Sequence, residues 1–299
     1  MLRSLPVLRS LAALTLPVGV ALLLAACGGG GGGAGGGGGA PDTTPAVSSG
    51  TVGHPIMPLA GTETYTLIYA GTEIGIDARN VTATFNIDNA MNAYNASADE
   101  ALQLGSNSIA ERAGIPGANI GRWNGGTMAG RYYGYAPVES LRMGGQQGFH
   151  YALAYRPNPA TLPCSGSSTY TLGEATKPTR GDGSVAPGTV DSASIVVTFT
   201  GSTPTFEISA GFSLGGGTSS FSASGMPPYY SLDNNAYYFS DTVDSTARSL
   251  YAGFGGAGRQ SMVFAFHSYT VPGSGGSAGS VSAAGYLTRT ADSSVACPP

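Results

Sequence analysis

Short runs in which apolar and polar residues alternate, each closed by Gly, Pro, Asn or Asp, recur from about residue 64 to residue 288. A period of two places successive side chains on opposite faces of an extended strand, whereas one helix face needs a period near 3.6. The runs span 64–69, 81–87, 149–155, 169–172, 194–199, 205–209, 218–223, 262–267 and 282–288. They predict an all-β fold, an antiparallel barrel of about eight or more strands or two joined barrels. A sheet of that size must close on itself or cover its edges to avoid pairing with other chains. Only residues 97–113 read as a helix. Asp99 and Glu100 would occupy its first turn, where anions suit the helix dipole, and Leu102, Ile109 and Ala110 would form an apolar face. Gly105 interrupts it.

The runs also repeat in order. Thr64-Tyr65-Thr66-Leu67 leads to Thr84-Phe85, as Thr169-Tyr170-Thr171-Leu172 leads to Thr198-Phe199. A Tyr-rich stretch at 131–135 precedes Phe149-His150-Tyr151, as 250–254 precedes Phe266-His267. The pattern predicts two versions of one β unit, an N-terminal half over 51–158 and a C-terminal half over 159–299. It places His150 and His267 at equivalent positions. Alternation sets each histidine opposite its aromatic neighbours, so aromatics facing a core would leave both histidines facing outward.

The N-terminus reads differently. Arg3 and Arg9 form a basic segment, residues 11–24 are apolar and uncharged, and Leu24-Ala25-Ala26-Cys27 follows. That is the layout of a secretory signal. The apolar run, with Pro17 inside it, is short for a membrane-spanning helix, which needs about 20 residues. Leu24-Ala25-Ala26-Cys27 resembles a bacterial lipobox. The resemblance implies cleavage before Cys27, a diacylglycerol on its sulfur and a membrane partner through that lipid. Residues 28–50 begin as nearly pure glycine and cannot bury a core, so they read as a flexible tether. Gly28 stands where an inner-membrane retention signal would have Asp, which makes the outer membrane the expected destination.

Charged residues are 10% of the chain, against about 25% typically. The polar surface must therefore be mostly Ser, Thr, Asn and Gly. The formal charge of −4 becomes more negative once Arg3 and Arg9 are removed, and a chain with one lysine has no basic patch. Composition thus argues against a nucleic-acid partner. Lipidation of Cys27 leaves Cys164 and Cys297, an even pair in an oxidising compartment, and predicts a bridge between them.

The second half carries a further pattern. Phe221-Ser222-Ala223-Ser224-Gly225 is followed by Leu250-Tyr251-Ala252-Gly253-Phe254-Gly255-Gly256-Ala257-Gly258, an apolar strand at 262–266, and Ala283-Ala284-Gly285-Tyr286-Leu287-Thr288-Arg289. Over 166–289 this resembles the C-terminal barrel of transferrin-binding protein B-like surface lipoproteins, the family that includes factor H binding protein. Tyr251 stands where that family more often has Phe, and Gly256 where Pro or Lys is common. The resemblance implies an eight-stranded barrel and surface display, not a particular ligand.

Motifs for chemistry lack their structural settings. Gly275-Gly276-Ser277-Ala278-Gly279 matches a nucleophile elbow, which needs a strand before it and a helix after it; here it lies in a Gly/Ser loop. Gly253-Phe254-Gly255-Gly256-Ala257-Gly258 matches a dinucleotide fingerprint but leads into a strand. No cofactor, metal set or catalytic group is predicted. Arg180-Gly181-Asp182, the tripeptide integrins recognise, reads as an exposed loop. Tyr132, Tyr133, Tyr135, Tyr229 and Tyr230 are the best candidates for a binding surface, because tyrosine supplies contact area at low entropy cost. The function expected is a non-enzymatic surface lipoprotein binding a host or envelope macromolecule. The alternatives are a periplasm-facing structural or assembly lipoprotein and an enzyme acting on envelope polymers.

Overall fold

A computed structural model describes residues 63–71, 74–132, 141–155, 162–201, 203–226, 235–243, 246–268 and 279–297. Cys27, the signal segment and the glycine tether lie outside the described residues. Among those described, the chain forms seventeen strands and a single-turn 3-10 helix at Ala257–Arg259. They build two antiparallel sheets, here called lobes.

The first lobe contains β1 (Thr64–Gly71), β2 (Gly75–Phe85), β3 (Met91–Ser97), β4 (Glu100–Gln103), β5 (Ser108–Ile115), β6 (Ala118–Asn124), β7 (Ala129–Arg131) and β8 (Phe149–Tyr155), in the order β5-β6-β8-β1-β2-β3-β4-β7. Its two ends belong to one bent hairpin. Pairing runs from Ile115↔Ala118 to Ser108↔Asn124, and resumes from Gln103↔Ala129 to Ala101↔Arg131. Between these stretches the hairpin turns a corner. Gly105 adopts φ +62 and Gly125 φ +70, conformations cheap only for glycine, and Ser106 N donates to Thr127 O at 3.0 Å. One arm of the hairpin joins β8 and the other joins β3, so the sheet curls back on itself.

This corner replaces the helix expected over 97–113. Ala, Leu, Glu and Gln favour helices, but propensity is worth only tenths of a kcal/mol per residue and yields to tertiary pairing. Glu100 and Leu102 alternate into the lobe interior, and Gly105 supplies the corner.

The second lobe contains β9 (Ser165–Ala175), β10 (Thr179–Arg180), β11 (Thr189–Thr200), β12 (Thr205–Leu214), β13 (Gly217–Met226), β14 (Ala236–Val243), β15 (Thr246–Gly255), β16 (Ser261–Ser268) and β17 (Val281–Asp292). Their order is β13-β12-β11-β9-β17-β16-β15-β14, with β10 pairing β17. Each lobe sets its first strand beside its last, β1 beside β8 and β9 beside β17. By that topology β8 corresponds to β17, not to β16, so His150 and His267 stand on non-equivalent strands.

Three apolar layers follow from alternation. The first lobe closes on Tyr65, Leu67, Tyr69, Trp123, Phe149 and Tyr151. Trp123 stacks on Phe149 with centroids 4.9 Å apart, and its Nε1 donates to Met91 O at 2.8 Å. The second lobe closes on Phe206, Phe212, Phe239, Phe264 and Phe266 among others. The third layer lies between the lobes and is made largely of small residues: Ala70, Ala152 and Ala154 against Val263, Ala265 and Ala284. Small side chains let two sheet surfaces approach closely.

Both histidines belong to that interface. Along β8, Phe149, Tyr151 and Leu153 face the lobe interior, while His150, Ala152 and Ala154 face the other lobe. The predicted alternation holds, but the outward face is covered. His150 is 0% exposed and His267 2%. The expected solvent placement of both is therefore wrong, because a second sheet occupies the space.

The glycine-rich motif at 253–258 also serves this contact. A Cβ on Gly117, in the β5–β6 turn, would lie 2.3 Å from Gly256 Cα, and one on Gly255 would lie 2.6 Å from Gly117 O. Gly256 N donates to Tyr155 O at 2.9 Å. The glycines allow backbone to meet backbone between lobes.

Candidate functional site

The polar part of the lobe interface is built around residues 176–185, which lead from β9 through β10. β8 delivers His150 to this segment with no freedom left in the ring. His150 Nδ1 lies 2.7 Å from Thr176 Oγ1, and Nε2 lies 2.7 Å from Thr179 Oγ1. Thr176 Oγ1 donates to Ala284 O at 3.1 Å and accepts from Ala284 N at 3.0 Å. A hydroxyl has one proton, so Thr176 must accept from Nδ1–H. The network thereby assigns a proton to Nδ1, and in a ring kept neutral by burial Nε2 accepts from Thr179.

Charged groups flank this ring. Arg122 on β6 holds Glu111 of β5 in a forked pair, at 2.6 and 3.1 Å, and also donates to Gln147 O at 3.1 Å. Glu111 in turn accepts from Lys177 N at 2.8 Å, tying the lobes together. Gln147 Nε2 donates to Gly181 O. Burial first, then the Arg122 and His267 charges, push the His150 pKa well below that of a free imidazole. Burial also lowers His267, to about 4; its Nδ1 lies 2.9 Å from Ser282 Oγ.

A second polar cluster lies inside the first lobe. Glu100, 2% exposed, accepts from Tyr69 OH at 3.1 Å, from Tyr94 OH at 3.3 Å and from Arg79 Nε at 2.9 Å. Arg79 also pairs with Asp77 at 2.5 Å. Burial raises the Tyr69 pKa, and the nearby tyrosines and carboxylates add to it. Burial likewise raises Asp77, opposed by its bonds to Ala78 N and Arg79. Every partner in this cluster is a protein group held by another, which is the arrangement of a fixed core network.

The tyrosine surface expected from sequence is only partly within the described residues. Tyr133, Tyr135, Tyr229 and Tyr230 lie outside them. Tyr132 is no free surface group: it packs on Tyr69 with centroids 6.2 Å apart, and its OH donates to Ile74 O at 2.9 Å. Of 180–182, the turn residue Asp182 is exposed as expected, but Arg180 is not. Arg180 is 7% exposed, in β10, and its Nε lies 3.2 Å from Asp182 Oδ2. Of the elbow-like glycine segment, all but Gly279 lies outside the described residues.

The strand expected over 81–87 ends at Phe85, and Asn86 and Ile87 open the turn between β2 and β3 instead. Asn86 Oδ1 accepts from Asp88 N and Ala90 N, at 3.0 and 2.9 Å. Arg112 grips Asp88 at 3.0 Å, and Asn119 Nδ2 donates to Asn89 O at 2.8 Å. The turn is pinned from three sides, and Ile87 at its tip is 98% exposed. The signal available was a bare isoleucine inside the turn-forming Asn-Ile-Asp-Asn string.

The outer face of the second lobe carries rows of hydroxyl groups with few charges, Glu207 beside Ser209 among them. Thr288, Thr171, Ser194, Ser209 and Ser222 stand in register across β17, β9, β11, β12 and β13. Such hydroxyl rows are how a chain poor in charge wets its surface. Among the described residues no cluster of three or more His, Cys, Asp or Glu could hold a metal ion, and no helix is long and apolar enough to cross a membrane.

The molecule thus belongs to the class of two-lobed, curled-sheet β proteins with filled interiors. Among solved structures it is similar to transferrin binding protein B. A double mutant of the vaccine antigen from Haemophilus parasuis aligns with a TM-score of 0.36 and 8% identity over 77% of this chain. The intact Ap-TbpB, described by its N and C lobes, aligns with a TM-score of 0.33 and 11% identity over 76%. The chain spans 45% and 46% of those proteins. No family model and no curated protein sequence matches it.

Proposed function

We propose that this protein is a non-enzymatic lipoprotein of the outer membrane that binds a protein or other macromolecule through the turns at its lobe ends. The observation that carries the reading is the Ile87 turn. Both lobe interiors are filled by aromatic side chains, so a partner must engage from outside. A turn clamped by Asn86, Arg112 and Asn119 loses little freedom on binding, and a fully exposed isoleucine at its tip is available as an apolar anchor. Ile87→Asp should leave the melting temperature unchanged and reduce capture of the partner from outer-membrane extracts or host fluids at least tenfold. Equal capture by the variant rejects the turn as the binding element.

The lipobox at Leu24-Ala25-Ala26-Cys27 and the glycine tether support anchoring. Acyl chains contribute about 0.8 kcal/mol per buried methylene, so a multiply acylated Cys27 holds the chain on the membrane. Cys27→Ala should release the protein into the soluble fraction; a variant that stays in the salt-washed membrane pellet refutes the anchor. Protease treatment of intact cells separates surface display from a periplasm-facing assembly role.

A further inference from the structure

We propose that the clasp formed by His150 and residues 176–185 makes the docking of the two lobes dependent on pH: acidification loosens the clasp while each lobe keeps its own sheet. The geometry carries the argument. His150 projects from the first lobe and finds both its partners, Thr176 and Thr179, on the second. The ring is sealed from solvent, and the Thr176 proton is already committed to Ala284 O. A second ring proton on Nε2 would force Thr179 to turn its own proton elsewhere and would leave a cation in the interface.

No group there is free to neutralise that cation. From β6, Arg122 faces the site, and its carboxylate partner Glu111 of β5 is already shared between Arg122 and Lys177 N. From β16, His267 faces it, bonded to Ser282 of β17. From β10, Arg180 lies paired with Asp182, and the Lys177 side chain on the β9–β10 connection is exposed. The neighbours are thus cationic, neutral or already paired. Opening the clasp hydrates the ring and restores its ordinary affinity for protons. The sign follows: burial holds the closed-state pKa below its open-state value near 6.5. The open state therefore binds more protons, and the clasp weakens as pH falls below about 6.5. At pH 5.0 the opening equilibrium rises roughly 30-fold, the weight of a group protonated about 1.5 units below its open-state pKa.

The test is amide hydrogen exchange of the full-length chain in detergent at pH 7.5 and 5.0, corrected for the intrinsic effect of pH. Protection of residues 176–185 should fall roughly 30-fold at pH 5.0, while amides of β11 and β12 keep theirs. In His150→Gln, whose side-chain amide offers a donor and an acceptor but does not titrate, the fall should be at least about threefold smaller than in the wild type, the remainder coming from His267. In His267→Gln the fall should persist at tenfold or more. Unchanged protection in the wild type, a fall in His150→Gln within about threefold of the wild-type fall, or loss of protection in all strands together overturns the proposal. If His150→Gln fails to fold, the His267→Gln series decides alone: protection of 176–185 should drop toward tenfold per pH unit below about 6, and a flat series overturns it.

Discussion

Replacing Arg79 by Met is expected to destabilise the chain by about 1–3 kcal/mol, the cost of leaving the buried Glu100 carboxylate without its cation when that cation is itself 30% exposed. Glu100 would keep its tyrosine bonds but lose the cation at 2.9 Å, while only 2% exposed. Urea unfolding of purified protein measures the loss. The double variant Arg79→Met with Glu100→Gln should recover most of it, because the neutral amide no longer needs a cation and still accepts from Tyr69 and Tyr94. A loss below about 1 kcal/mol in the single variant would show that Tyr69 and Tyr94 suffice for the carboxylate.

Removing the disulfide should have an effect of similar size. Cys164 and Cys297 are bonded, with Cα atoms 4.9 Å apart at positions 133 apart in sequence. Around the bridge, Cys164 N donates to Val295 O at 2.9 Å, and Val295 N donates to Ser165 O at 2.9 Å. The bridge fixes the C-terminal tail beside the start of β9 and so supports the first-to-last strand pairing of the second lobe. The chain-entropy account sets a ceiling near 5 kcal/mol for a loop this long, and removal of a native bridge costs about 2–4 kcal/mol in practice. Cys164→Ser with Cys297→Ser should lose that amount and expose the tail to trypsin at Arg289. In the wild type, alkylation of the unreduced, denatured chain should label neither residue; an unchanged unfolding midpoint in the variant would contradict a stabilising role.

Both predictions depend on features that differ in how far sequence revealed them. The cysteine pairing was readable by count and compartment alone. The Arg79–Glu100 pair was not, because Glu100 sat within a stretch whose composition favours a helix. Asp77 and Arg79, two residues apart on one strand face, were the only hint of a polar cluster. Ile87 was likewise written in the sequence but unremarkable until its exposure was known. Tyr132 read as a surface residue and proved to be packing, since β7 carries it back over the lobe where Tyr69 awaits it.

The alternation of β1, β8, β16 and β17 is a local property, fixed by strand geometry, so sequence alone established an all-β antiparallel fold and which residues share a face. It also specified the extended character of β1, β8, β9, β11, β12, β13, β16, β17 and the end of β2, but not of β3, β5, β6, β14 or β15. What lies against each face is a long-range fact. Phe149 and His150 are neighbours with opposite surroundings, and nothing between residues 145 and 155 says that the face bearing His150 meets a second lobe. That was decided by contacts such as Gly117 against Gly256 and His150 against Thr176, between residues remote in the chain. A hydrophobic period records that a face is buried or wet only when one side of a sheet is solvated. Strands buried on both faces lose that record, and only tertiary structure supplies it.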